Sequence, residues 1–162
     1  MTKRQPWWHG ARGEWYVVIQ FALLGVVLAA PWLWLMPAWP AWLAAAGRIA
    51  GVLLSLVAAF FIGSGLWTLG RNLTAVPHPK EDAVLVMGGA YGLVRHPIYS
   101  GIVGGALGWG LLLNHLPTIG LAFLLFFFFD IKSRREEKWL VRKFPHYVAY
   151  QKRVSKLLPF IY

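Results

Sequence analysis

The stretch Arg48-Ile-Ala-Gly-Val-Leu-Leu-Ser-Leu-Val-Ala-Ala-Phe-Phe-Ile-Gly-Ser-Gly-Leu-Trp-Thr-Leu69 decides the fold. Its only charge is its first residue, and an uninterrupted apolar run of ~20 residues is long enough to cross the ~30 Å hydrocarbon core of a bilayer as a helix. Gly47, Gly51, Gly63 and Gly65 give that helix small faces against which a neighbour can pack closely. The Gly47-x3-Gly51 spacing therefore reads as packing rather than as a binding motif.

The rest of the chain has the same character. Its 162 residues are 58% hydrophobic and only 14% charged, with ten Trp and ten Phe, far from the usage of a soluble domain. That length holds about four to six spanning helices and little else, so a soluble nucleotide-binding fold is excluded. The absence of cysteine rules out disulfides, thiolate metal sites and a cysteine nucleophile. A formal charge of +10 in such a chain reads as contact with anionic cytoplasmic lipid, with no need to invoke nucleic acid.

Upstream of the opening stretch, residues 1 to 14 place Lys3, Arg4 and Arg12 beside Trp7, Trp8 and His9, an interfacial leader. The apolar run from Trp15 to Met36 exceeds the h-region of a signal peptide and reads as a first helix. Pro31, Pro37 and Pro40 with Trp32, Trp34, Trp39 and Trp42 mark its exit through an aromatic belt into a short uncharged loop. Downstream, residues 70 to 90 form a polar loop interrupted by Pro77 and Pro79. Asn72-Leu73-Thr74 within it fits a glycosylation pattern by chance, since the loop falls on the cytoplasmic side. A third helix is expected from about Pro97 to Asn114 and a fourth from about Thr118 to Asp130, joined by the hairpin turn Asn114-His115-Leu116-Pro117. Both are short for a bilayer, so the fourth is expected to run on through Lys132 and Ser133 into the basic tail. The fold expected is an all-α integral membrane protein: about four transmembrane helices, plus a C-terminal cytoplasmic helix closing a pocket. Residues 1–70 carry the first two helices and residues 71–162 the functional region.

Charge sets the orientation. Of sixteen Lys and Arg, three lie in the N-terminal segment, three in the 70 to 97 loop and nine in the tail. The loops between helices 1 and 2 and between helices 3 and 4 have none, and only Arg48, expected at the rim of helix 2, departs from the pattern. The positive-inside rule then puts both termini and the central loop in the cytoplasm. The central loop and the tail share a face, so Arg95 and His96 can meet Glu136 and Glu137.

That central loop ends in Gly88-Gly-Ala-Tyr-Gly-Leu-Val-Arg-His-Pro-Ile-Tyr-Ser-Gly101, where glycines, a proline and polar side chains converge between apolar segments. Glycines permit tight turns and close backbone approach to a ligand, and Pro97 suits the first turn of a helix. Arg95 and His96 thus sit at the mouth of helix 3, either binding a ligand or snorkelling to headgroups. Glu136 and Glu137, two of only six acidic residues, either hold a hydroxyl pair or an ammonium group, or form salt bridges along a solvated helix. No metal site is expected, because His96 and His115 fall on opposite sides of the membrane. Neither Gly-x-Ser-x-Gly nor His-Glu-x2-His occurs, so a hydrolase has no footing.

Arg95-His96-Pro97-Ile98-Tyr99-Ser100-Gly101, an apolar hairpin, then Glu136-Glu137-x2-Leu140-x3-Phe144 with Tyr147, Tyr150, Arg153-Val154 and Pro159-Phe160-Ile161 resemble the isoprenylcysteine carboxyl methyltransferase family. The likeness covers roughly residues 66 to 162 and is strongest to bacterial and archaeal members; the related phospholipid N-methyltransferases share the arrangement. It implies an S-adenosylmethionine-dependent methyltransferase, with Val94, His96, Pro97, Tyr99 and Gly101 lining the cofactor and Glu136 or Glu137 holding its polar groups. Arg95 would hold an acceptor carboxylate. An amine acceptor would instead need a base, Glu137 or His96. The implied partners are the membrane and a lipid or lipid-modified acceptor, with no nucleic acid and no obligate protein partner, and the implied location is a bacterial inner membrane. Phe144-Pro145-His146-Tyr147 departs from the family's Phe-Gly-x2-Tyr, so tail contacts with substrate transfer least. An apolar acid is favoured as acceptor, a phospholipid amine being the alternative. A sterol-reductase-like NADPH enzyme and a non-catalytic membrane protein are the rivals from other classes.

Overall fold

The computed structural model describes residues 12–162; the expected interfacial leader lies almost entirely outside them. Five α-helices follow in order: α1 (Glu14–Leu33), α2 (Ala41–Leu69), α3 (Pro97–Leu112), α4 (Leu116–Lys143) and the short α5 (Tyr147–Gln151). By length and composition α1, α2 and α4 can each cross a membrane. α3 has 16 residues, a length of only ~24 Å, and completes the set as a shorter apolar helix. Among the described residues there is no β-strand, only an isolated parallel bridge between Val94 and Ser155.

α2 begins seven residues before the expected Arg48, directly after Pro40, which is the residue preceding its first turn. Ala41 to Ala46 are strong helix formers or apolar, so nothing delays the helix once the proline is passed. Arg48 consequently lies inside the helix, exposed on its flank, rather than at its rim. α4 runs unbroken to Lys143, as its short apolar part demanded.

Packing proceeds α2 on α3, α3 on α4 and α4 on α1. The α2–α3 contact is made by glycines. A Cβ on Gly51 would stand 2.7 Å from the backbone nitrogen of Leu112 and 2.8 Å from the carbonyl of Gly108, and one on Gly101 would stand 2.7 Å from the carbonyl of Ala58. This is the small-residue packing read from Gly47-x3-Gly51, and it lets two backbones touch where lipid supplies no hydrophobic drive between helices. Val27, Ala106, Ala122, Leu125 and Phe129 form the core shared by α1, α3 and α4. Large apolar side chains elsewhere point outward, Phe21, Leu56 and Phe127 among them, which is the surface a hydrocarbon solvent calls for.

The hairpin turn at the far end is locked by His115. Its Nδ1 accepts from the Thr118 backbone N–H and lies 2.7 Å from the Thr118 hydroxyl, while Nε2 donates to the carbonyl of Trp34 at 2.7 Å. This side chain caps α4 and ties it to the α1–α2 connection. Its role is structural, and no cluster of metal-ligating side chains occurs among the described residues.

Candidate functional site

The site forms where the central loop, the inner ends of α3 and α4 and the C-terminal tail converge. Gly89 has φ 58°, a left-handed conformation, and a Cβ there would stand 2.7 Å from the Thr68 hydroxyl at the end of α2. Glycine is therefore required for the turn to seat against α2. After that turn the backbone runs beside the tail. The Arg95 N–H donates to the Ser155 carbonyl at 2.8 Å and the His96 N–H to that of Lys156 at 3.2 Å. Pro97 opens α3, and Ser100 at its first turn donates to the Leu157 carbonyl at 2.6 Å. Arg95 and His96 are thus held between a helix start and a docked tail.

Their side chains converge on Glu137. The Arg95 Nε–H donates to Glu137 Oε1 at 2.7 Å, and His96 Nε2 lies 3.1 Å from the same oxygen. Gln151 donates to Oε2 at 3.0 Å and the Tyr147 hydroxyl to Oε1 at 3.4 Å. Arg95 also donates to the carbonyls of Gln151 and Val154. Three of these donors share Oε1 and one meets Oε2. It joins the loop, α4 and α5 in one buried network.

Glu136 is placed differently. It accepts from the Tyr99 hydroxyl at 2.8 Å and otherwise faces a cavity of about 460 Å³, a volume within the range of ligand pockets. The His96 ring stacks on Tyr99 at 5.3 Å, and Tyr99 on Phe129 at 4.6 Å, which fixes the tyrosine on the cavity wall. Tyr91 and Tyr147 also line the cavity. Burial, assisted by the nearby Glu136 or Glu137, pushes the phenols of Tyr91 and Tyr147 well above the usual range; burial does the same for Tyr150, whose hydroxyl donates to the Tyr91 carbonyl. All three stay protonated, and Tyr147 and Tyr150 donate to Glu137 and to the Tyr91 carbonyl, respectively.

Of the residues singled out in the sequence, Arg95, His96, Tyr99 and Glu136 line the cavity directly. Glu137 stands behind them as the hub. Val94 is fully buried in a small cluster with Phe61 and Ala90. Pro97 is buried, and Gly101 lies against α2. The structure adds Lys132 and Gln20 at the cavity wall, and a roof from residues 72–75, Pro79 and residues 83–86. Gln20 had one signal in the sequence: it is a lone amide within the first apolar run, and a polar side chain in a membrane span needs a reason.

Comparison with known proteins adds to this geometry. A family model described as phospholipid methyltransferase matches residues 46–146. The chain is 34% identical over 117 residues to protein-S-isoprenylcysteine O-methyltransferase of Saccharomyces cerevisiae, an alignment covering 70% of this chain and 49% of that protein. The Schizosaccharomyces pombe protein of the same name is 39% identical over 102 residues, covering 60% of this chain and 43% of that one. Cobalt-zinc-cadmium resistance protein CzcN of Cupriavidus metallidurans is 29% identical over 154 residues, covering 91% of this chain and 62% of its own. The chain thus spans about half the length of the isoprenylcysteine methyltransferases it matches. The matched segment contains α3, α4, the roof of the cavity and the Arg95, His96, Tyr99, Glu136 and Glu137 side chains, and with it covering more than half of the sequence, the chain belongs to the phospholipid methyltransferase family.

Proposed function

We propose that this protein is an S-adenosylmethionine-dependent membrane methyltransferase acting on an apolar or lipid-linked carboxylate. The observation that carries the acceptor class is the commitment of Glu137 to the protein's own donors. Arg95, His96 and Tyr147 hold its Oε1 and Gln151 its Oε2, and it stands behind the residues that line the cavity, away from an amine bound there. Methyl transfer to a carboxylate requires no base. The isoprenylcysteine O-methyltransferases among its relatives point to the same acceptor chemistry.

The residues present fit the cofactor. A sulfonium and an ammonium call for a carboxylate and an aromatic wall, and Glu136 and Tyr99 offer both beside the hydroxyl of Tyr91. S-adenosylmethionine, when bound, supplies an electrophilic methyl group on a sulfonium for in-line displacement by a nucleophile. Every other part of the chemistry falls to the chain. Glu136 offsets positive charge, and Tyr99 orients Glu136. His96 and Arg95, fixed by Glu137, keep the wall rigid, while Val94, Pro97 and Gly101 support it from behind. Ile98, Ile102, Leu140 and Phe144 exclude water and receive the acceptor's apolar tail from the bilayer. Alignment and desolvation of this kind supply several kcal/mol of rate enhancement.

The test is transfer of labelled methyl from S-adenosylmethionine by the purified full chain, offered an S-prenylcysteine acid and phosphatidylethanolamine in parallel. We expect label on the acid, released as methanol by mild base, because an ester hydrolyses and an N-methyl group does not. Base-stable label on phosphatidylethanolamine would favour the amine acceptor that the family's description allows.

The charge distribution supports both termini and the cavity facing the cytoplasm, and a bacterial inner membrane is the setting proposed. Reporter fusions after Met36 and after Leu116 should then read as periplasmic, and one after Lys80 as cytoplasmic. A periplasmic reading at Lys80 would reverse the orientation.

A further inference from the structure

Lys132 is a cation sealed inside the protein. It lies on α4 one turn before Glu136, has 1% of its surface exposed, and lines the cavity. Its ammonium donates to Gln20 Oε1 and, at 3.1 Å, to the carbonyl of Ala75, and lies 5.0 Å from the centre of the Tyr99 ring. Every one of these partners is neutral. Among the described residues no carboxylate pairs with it within 4.0 Å: Glu136 bonds to Tyr99, Glu137 to Arg95, and Asp130 to Lys156 and Arg134. Burying an ammonium without a bonded counter-ion costs several kcal/mol even after relaxation. An ammonium has three N–H donors, and the described residues accept from two of them.

Arg95 is the contrast. Its charge is neutralised by Glu137, and further bonds go to Gln151 and Val154. Of the two cations lining the cavity, Lys132 is the one with no bonded counter-charge, since Glu136, one turn further on, acts on it only through space and bonds to Tyr99. A carboxylate entering the cavity would supply that charge and the third acceptor together.

We propose that Lys132, oriented by Gln20, is the carboxylate-binding group of this cavity. The assignment rests on the methyltransfer reading and deepens it, because two ligands of that reaction carry a carboxylate: the donor on its amino-acid end, and an acidic acceptor. Glu136, four residues further along the same helix, gives the wall a negative pole beside this positive one.

The test is isothermal titration of the detergent-solubilised full chain with four probes. These are S-adenosylmethionine, its decarboxylated analogue, N-acetyl-S-farnesylcysteine, and the corresponding amide. Lys132→Met removes the charge while keeping most of the volume. Gln20→Glu leaves the lysine in place but gives it an internal counter-ion, and is expected not to lower the thermal unfolding temperature. Each variant should weaken at least one of the two carboxylates tenfold or more and leave its carboxylate-free counterpart within about twofold. Loss confined to S-adenosylmethionine identifies the donor's carboxylate as the ligand, and loss confined to the farnesylcysteine acid identifies the acceptor's. Equal effects on each acid and its counterpart would overturn the assignment and leave Lys132 as an anchor for α1 and the loop at Ala75. Failure of the unaltered chain to bind any of the four would overturn the methyltransfer reading itself, and the assignment with it.

Discussion

Glu137→Ala is expected to destabilise the protein by about 3–5 kcal/mol, the cost of removing one member of a buried ion pair and leaving the other charge uncompensated. Arg95 and Glu137 are each only 10% exposed at the side chain. With the carboxylate gone, His96, Tyr147 and Gln151 lose their shared acceptor as well, and α5 loses its tie to α4, while Lys156 and Tyr162 still bond to Asp130. The segment Tyr147–Gln151 should become accessible to limited proteolysis, and the unfolding temperature in detergent should fall. Glu137→Gln keeps the shape and one acceptor oxygen, so its loss should be smaller, about 1–3 kcal/mol. A Glu137→Ala protein that unfolds with the unaltered chain and keeps that segment protected would show that the network contributes nothing.

Gly51→Val is expected to be the most disruptive change in the apolar body. The atoms that a side chain would meet are the backbone of Leu112 and Gly108, at 2.7 and 2.8 Å, and backbone cannot rotate away as a side chain can. Across the same contact, a Cβ on Gly108 would stand 3.0 Å from the Gly51 carbonyl. Overpacking of this kind costs about 1–3 kcal/mol and more where no rotamer escapes. Gly63, further along α2, faces open space: a Cβ there would meet nothing within 4 Å. Gly63→Ala should therefore be neutral or stabilising by about 0.5–1 kcal/mol through helix propensity. Thermal unfolding of the pair in one detergent checks both, and equal loss in the two variants would remove the close-packing account of α2 and α3.

The spans were legible because hydropathy over ~20 residues is the strongest signal a sequence carries, and the continuation of α4 followed from the shortness of its apolar part. The start of α2 was not. Three prolines and four tryptophans between residues 31 and 42 read equally as a belt and as a helix entry, and the helix took the residues after Pro40. The meeting of Arg95 and His96 with Glu137 was legible through topology, since loop charges put the central loop and the tail on one face. The division of labour between the two glutamates was not, because adjacent residues on a helix point about 100° apart and sequence does not say which direction is the cavity. Tyr91 and the roof within residues 72–86 were hidden for a different reason. Irregular loops have no period from which a facing side could be read. Lys132 counted in the sequence as one of nine tail cations, and only packing separates it from the others by burying it beside neutral Gln20, whereas Lys156, also buried, pairs with Asp130.

The central claim is that the cavity bounded by Tyr99 and Glu136 holds a sulfonium cofactor. Titration calorimetry of the purified full chain and of Glu136→Gln against S-adenosylmethionine and NADPH tests it most directly. The account predicts one-to-one binding of S-adenosylmethionine to the unaltered chain and a loss of about 1.5–3 kcal/mol in Glu136→Gln, as for a charge-assisted contact, with no binding of NADPH by either. Binding of NADPH, or S-adenosylmethionine bound equally well by Glu136→Gln, would contradict it.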